Sequence, residues 1–258
     1  MKVIAFAQLR NELEVGNLPN WFRSLEHMDH IYIYDQNSTD GSKEYYKKFD
    51  NVSLIESPIN NFSEEIKCKS ELLEKLLAEH PDVDWIFWMD GDTILDKRLL
   101  DDGGAAMYQM LESAQAQGVD LIYMMHYNLW RSDVYYRVDD QYHALGNGVP
   151  AFWRNNGNLS FPKVAGLHRP QCPDGLTKFA KTDYSLIHQG FAKDDQIMRK
   201  YDVYKARGQS GWALERLLNE DGLAVKHIPF HVLPDWMEID KSHPINKRRI
   251  REIYNEKD

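Results

Sequence analysis

Along residues 1–125, short apolar runs alternate with stretches of helical spacing. Residues 3–7, 31–34, 52–55, 85–89 and 121–125 are rich in Val, Ile, Leu and aromatic side chains, and each reads as a strand. Between them Trp21, Phe22, Leu25 and Met28, then Ile66, Leu72, Leu73, Leu76 and Leu77, recur at the spacing of a helix face. Pro19 stands at a helix start, where its missing N–H costs nothing, and Pro81 follows a helix end. This alternation predicts βαβ units and an α/β fold with a mixed, mainly parallel sheet flanked by helices. The run at 85–89, Trp-Ile-Phe-Trp-Met, has no polar alternation, as expected of a strand buried on both faces. From 128 to 185 the pattern loosens into sequence rich in aromatics, glycine and proline, which predicts functional loops. Helical periodicity returns at 194–206 and 211–218, as a C-terminal helical extension.

The chain has 258 residues, 43% of them hydrophobic, enough for one sizeable core. Its net charge of -9 gives no electrostatic case for nucleic acid, which is held by clustered Lys and Arg. The two cysteines, Cys68 and Cys172, form no CxxC pair, so neither a disulfide framework nor a zinc site is expected, and a reducing compartment fits. The N-terminal apolar run is too short for a secretory signal and no stretch approaches the ~20 apolar residues of a membrane span, so a cytoplasmic location is expected. The basic run at 247–251 reads as a solvated face.

Three segments carry chemistry. The apolar run delivers Asp90-Gly91-Asp92-Thr93 at its C-terminal end, the edge where open α/β sheets bind ligands. Two carboxylates separated by a glycine can turn toward one hard cation, and Mg²⁺ or Mn²⁺ held so would neutralise diphosphate oxygens. A bare Asp-X-Asp is otherwise a common surface turn. The second segment is Asp35, at the end of 31–34, with the polar turn Gln36-Asn37-Ser38-Thr39-Asp40-Gly41-Ser42, where a carboxylate can accept hydrogen bonds from a base or ribose. In the third, His188-Gln189-Gly190-Phe191 precedes a helix carrying Lys200 and Lys205. A neutral imidazole there can complete a cation's coordination, and the lysines can meet phosphates. Taken alone, a histidine is more often a structural residue.

Together these segments resemble the inverting GT-A glycosyltransferases of the large family 2 group, especially its small single-domain bacterial and viral members. The matching pieces are Arg10-Asn11-Glu12, His30 through Ser42, Trp85 through Thr93, and His188 through Phe191 with Lys200-Tyr201, in the family's order. The resemblance implies a nucleoside-diphosphate sugar donor, a carbohydrate or glycoconjugate acceptor and a divalent Mn²⁺ or Mg²⁺. It also implies that residues 1–125 are the nucleotide-sugar-binding half of one domain and 126–258 its acceptor-binding half. Ala7, Arg10 and Glu12 are then expected beside the nucleotide, Asp35 near its base or ribose, and Lys69 at the nucleotide, with Lys67 equally placed. Asp90, Gly91 and Asp92 would hold nucleotide and metal, and His188 would join Asp90 and Asp92 as metal ligands. Many members carry a second acid where this chain has Gln36.

An inverting transferase also needs a base within reach of the acceptor hydroxyl. No clear Glu-Asp pair stands directly after the Asp-Gly-Asp strand; Asp174, Asp183 and His168 are the candidates, Asp174 first because Pro and Gly frame its loop. Trp130, Trp153 and Trp236 are expected in the core before any sugar-stacking role. Two rival readings remain. A haloacid-dehalogenase-type phosphatase would use Asp90 as nucleophile, Asp92 as acid and base, and Lys193 with Asp194 and Asp195. A non-catalytic carbohydrate-binding module of the same fold would lack the base.

Overall fold

The computed structural model describes residues 1–139, 148–163, 170–206, 208–219 and 223–237. In chain order the elements are β1 (Val3–Leu9), α1 (Leu18–Ser24), β2 (His30–Asp35), α2 (Ser42–Tyr46), β3 (Val52–Glu56), α3 (Glu65–Glu79), β4 (Trp85–Trp88), β5 (Thr93–Leu95), α4 (Lys97–Ala116), β6 (Leu121–Asn128), β7 (Tyr135–Arg137), β8 (Val149–Arg154), β9 (Phe179–His188), α5 (Asp194–Ala206), α6 (Trp212–Leu218) and β10 (Val225–His227). An eight-stranded sheet runs β3-β2-β1-β4-β8-β6-β9-β5, and β7 pairs with β10 beside it. Neighbours β3, β2, β1 and β4 are parallel, as are β6 and β9. Strand β8 lies antiparallel between β4 and β6, and β5 antiparallel on β9. The sheet is therefore mixed and mainly parallel, as the periodicity predicts.

The run at 85–88 is apolar throughout because both faces of β4 are covered. Trp85 and Phe87 enter the core under α1 and α4, while Ile86 and Trp88 enter the core under α3. Each such side chain, taken out of water, contributes about 1.5–3 kcal/mol. The region 128–185, expected to be irregular, holds β7, β8 and most of β9 instead. Strand β8 contains Pro150, which has no N–H for the ladder; it lies opposite Tyr123, where the β6 register slips. Strand β9 exposes Phe179, Lys181 and Asp183 and buries only its last four residues, so its apolar signal is short. Trp130 and Trp153 are buried, as expected of core residues. Trp236 is half-buried, with the Arg23 guanidinium over its ring.

Among the described residues no helix is long and apolar enough to cross a membrane. The basic run at 247–251 lies outside the described residues.

Candidate functional site

Strands β1, β2, β4, β6 and β9 all end on one edge of the sheet, and there the chain turns through Asp90-Gly91-Asp92 from β4 into β5. The Thr93 N–H donates to the Asp90 carbonyl at 3.1 Å and closes the turn. Gly91 is required by space: a Cβ there would stand 2.7 Å from Leu9 Cδ2 and 2.8 Å from Glu12 Cγ. Strand β5 then pairs with β9 so that Thr93 faces His188, and the Gln189 N–H donates to the Asp92 carbonyl at 2.7 Å. This register brings Asp92 Oδ2 to 3.1 Å from His188 Nε2. Helix α5 supplies Lys200, whose Nζ lies 2.7 Å from Asp92 Oδ2, 3.2 Å from His188 Nε2 and 4.5 Å from the centre of the Phe191 ring. A Cβ on Gly190 would run into all three of these polar atoms, so they can converge here only because residue 190 has no side chain.

The charges at this edge are strongly coupled. Burial opposes ionisation of Asp92, but His188 and Lys200 outweigh it and hold the carboxyl well below the usual carboxylate range. Burial likewise works against the Lys200 ammonium, and Asp92 more than restores it, so its pKa is raised. Asp90 is shifted the other way, upward, by burial and by Asp92, with Lys69 opposing. Glu12 is pushed up to about 7 by burial and by Asp92, against a hydrogen bond from Asn17 and the charges of Arg199 and Lys200. The His126 ring on β6, 5.3 Å from that of His188, is pushed down to about 3 by burial and by His188, and so stays neutral at physiological pH.

At the same edge, the loops after β1 and β2 are tied together. The Asn11 N–H donates to Ser38 Oγ at 2.9 Å, the Thr39 N–H to Asn11 Oδ1 at 2.9 Å and the Glu14 N–H to Asp40 Oδ2 at 2.8 Å. Asn11 and Asn37 both adopt positive φ, which asparagine tolerates. Asp35 is fully buried at the end of β2; its Oδ1 accepts from the Ser38 N–H at 2.8 Å, while Oδ2 has no hydrogen-bond partner among the described residues. A buried carboxylate oxygen without a donor is costly and marks a place for a ligand hydroxyl or N–H. Arg10 is exposed on the turn, and Ala7 is buried in the sheet two residues before the edge. Lys69 does not stand open to a ligand. It is buried against Glu65 at 2.7 Å with its ammonium 4.0 Å from the Trp88 ring, and the Trp88 indole N–H donates to Asp90 Oδ1 at 3.0 Å. Lys67, the alternative, is half exposed and pairs with Glu64 at 3.6 Å.

Of the three expected metal ligands, Asp92 and His188 come together, whereas the Asp90 carboxylate is turned to the Trp88 indole. Among the described residues no group of three His, Cys, Asp or Glu side chains is placed to hold an ion. Two converging ligand atoms nevertheless suit Mg²⁺ or Mn²⁺ carried by a diphosphate, because such ions take one or two protein ligands and fill their remaining positions with phosphate oxygens and water.

The candidate bases fall apart in space. Asp183 sits five residues before His188 on β9, about 17 Å along the strand, and its exposed carboxylate pairs with Arg98 at 3.4 Å. Asp174 is exposed in a loop bridged to Ser160, and its neighbours Cys172 and Leu176 pack on the cluster containing Trp88. His168 lies outside the described residues. Lys193, Asp194 and Asp195, which the phosphatase reading needs, are exposed, and Asp194 pairs with Arg131 at 2.9 Å. Gly190, Trp88, Glu65 and His126 were not singled out by sequence. Only Gly190 left a signal, as the glycine two residues after His188.

The fold is GT-A-like: a mixed, mainly parallel sheet flanked by helices. No family model matches the sequence, and no curated protein matches it. Solved structures of similar shape include a Bacillus anthracis protein described as a glucose-1-phosphate thymidylyltransferase, 10% identical, covering 82% of this chain and 98% of that one with a TM-score of 0.44. Others are HddC from Yersinia pseudotuberculosis, 15% identical over 77% and 97% with a TM-score of 0.41, and a glycosyltransferase involved in the glycosylation of the major capsid of PBCV-1, 7% identical over 76% and 97% with a TM-score of 0.40. Likenesses this distant say nothing about substrate, which has to be argued from the site.

Proposed function

We propose that this chain transfers a glycosyl group from a nucleoside-diphosphate sugar to an acceptor hydroxyl, with inversion, as the family resemblance implies. The observation that carries the reading is the convergence of Asp92 Oδ2, His188 Nε2 and Lys200 Nζ beside Gly190, at the edge where Asp35 keeps a buried oxygen without a donor. The diphosphate lies against that point, and a ribose hydroxyl or base N–H donates to Asp35 Oδ2. Asp92 and His188 would hold a divalent cation, which would supply charge neutralisation to the diphosphate oxygens and the leaving group. Asp90, oriented by Trp88, faces the ribose. Lys200 is the lysine within reach of the phosphates. Of the two described base candidates, Asp174 is the better, because its loop packs on the Trp88 cluster whereas Asp183 is remote and engaged by Arg98.

The test is a thermal-shift screen with UDP, GDP and dTDP, each with and without Mn²⁺, followed by nucleotide-sugar turnover. A ligand at a hundred times its Kd adds about 2.7 kcal/mol of stability, which such a screen resolves. Asp92→Ala is expected to lower turnover about 100-fold or more, the usual loss when a charge-stabilising group is removed. Nucleotide binding without turnover on any sugar would favour the non-catalytic module. Phosphate release from sugar phosphates would favour the phosphatase.

A further inference from the structure

The seat between Asp92 and His188 is filled by a cation that belongs to the chain. Lys200 Nζ bonds Asp92 Oδ2 at 2.7 Å, stands 3.2 Å from His188 Nε2 and lies on the Phe191 ring. A divalent ion bonded to both ligand atoms would sit about 2.1 Å from each. It would then press against an ammonium that uses the same carboxylate oxygen, with no anion between them. The two cations cannot share the seat. Gly190 keeps the seat clear of side chain, since a Cβ there would come within 2.7 Å of Asp92 Oδ2 and His188 Nε2 as well as Lys200 Nζ.

We infer that Lys200 and the divalent ion are alternative occupants of one seat, and that a nucleoside diphosphate admits the ion by giving the displaced Lys200 ammonium a new anion. The identity of that anion rests on the transferase reading; the competition between the two cations does not. Lys200 is suited to the exchange. Its side chain is about one-fifth exposed, at 21%, so it can swing toward the open side of the site without unpacking a core. Its four-carbon stem gives it reach, and its strongly hydrated point charge accepts phosphate oxygens without a fixed geometry. The consequence is coupling: in the free chain the ion binds weakly because it must displace Lys200, and ion and nucleotide each strengthen the other's binding by the same factor.

The experiment measures Mn²⁺ binding, from the spin-resonance signal of free Mn²⁺, on the full chain, on Lys200→Met and on Lys200→Arg, with and without UDP or GDP. Lys200→Met is expected to bind Mn²⁺ about tenfold more tightly than the unmodified chain in the absence of nucleotide, and the enhancement by nucleotide should shrink by a similar factor. Lys200→Arg, which keeps a cation in place, should behave like the unmodified chain. Adding His188→Ala to Lys200→Met should abolish the gain, assigning it to this seat. Circular-dichroism melts establish that each variant is folded; if Lys200→Met is not, Lys200→Gln takes its place. Mn²⁺ affinity that is unchanged or weaker without the lysine charge overturns the inference. If the nucleotide-sugar turnover test succeeds and the affinity gain is missing, the exchange fails and the transferase reading stands. If the gain appears and no nucleotide binds, the exchange stands and the transferase reading fails.

Discussion

Lys200 Nζ and Asp92 Oδ2 are 2.7 Å apart although 108 residues separate them in sequence. The contact joins the only turn between β4 and β5 to the helix that follows β9, and it places a lysine where the sequence pattern suggests a metal. It also accounts for opposite behaviour in two neighbouring acids. Asp92 is held ionised by Lys200 and His188, while Asp90, beside Asp92, is pushed toward protonation.

Gly190→Ala places a methyl group against Lys200, Asp92 and His188 at once. Overpacking of this kind costs typically about 1–3 kcal/mol, and here the site moves before the core does. The expected result is a fall in nucleotide-sugar turnover of about 100-fold with a melting temperature lowered by only a few degrees. Turnover within twofold of the unmodified chain would show that the three atoms need not converge.

Glu65→Gln removes the anion 2.7 Å from Lys69, an ammonium that is only 3% exposed and otherwise rests on the Trp88 ring. Breaking one side of a buried pair costs about 3–5 kcal/mol, whereas replacing both partners is often close to neutral. Urea unfolding should therefore find the single variant strongly destabilised and Glu65→Gln/Lys69→Met largely recovered. Equal losses in the single and double variants would contradict the pairing.

Glu12 is held at about 7, above its ordinary value of 4.5, so the folded chain keeps a proton that the unfolded chain releases. Its contribution to stability is fully present below pH 4.5 and is lost as pH rises toward 7. The side chain is half-buried, so solvent screening reduces the size of the effect. In EDTA, unfolding of Glu12→Gln followed from pH 5 to pH 8 should lack the downward slope that the unmodified chain shows. A slope of the same size in both proteins would remove Glu12 as its source.

Asp174→Asn is expected to lower kcat by about 100- to 10,000-fold with little change in nucleotide affinity, the pattern of a lost general base. Asp183→Asn, which removes only an exposed carboxylate beside Arg98, should stay within twofold. The reverse ranking would move the base to β9.

Much of the frame was legible in the chain itself. Strands β1, β2 and β4 announce themselves because parallel strands covered on both faces are continuous apolar runs, and the Asp90-Gly91-Asp92 turn can be placed at a ligand-binding edge from strand order alone. Strands β8 and β9 could not be read, since Pro150 and a half-exposed first half leave neither a clean period nor a long run. Lys69 is recognisable as a basic residue on α3, but its burial under Trp88 is not, because Glu65 one turn earlier equally fits a solvated i,i+4 pair. The sequence by itself determined the α/β class, the edge and the acids. Tertiary structure alone decided which of them meet: Asp92 reaches His188 through the pairing of β5 with β9, and Lys200 reaches both through the packing of α5 at Phe191. Such contacts depend on register and packing between elements distant in the chain, which no local periodicity encodes.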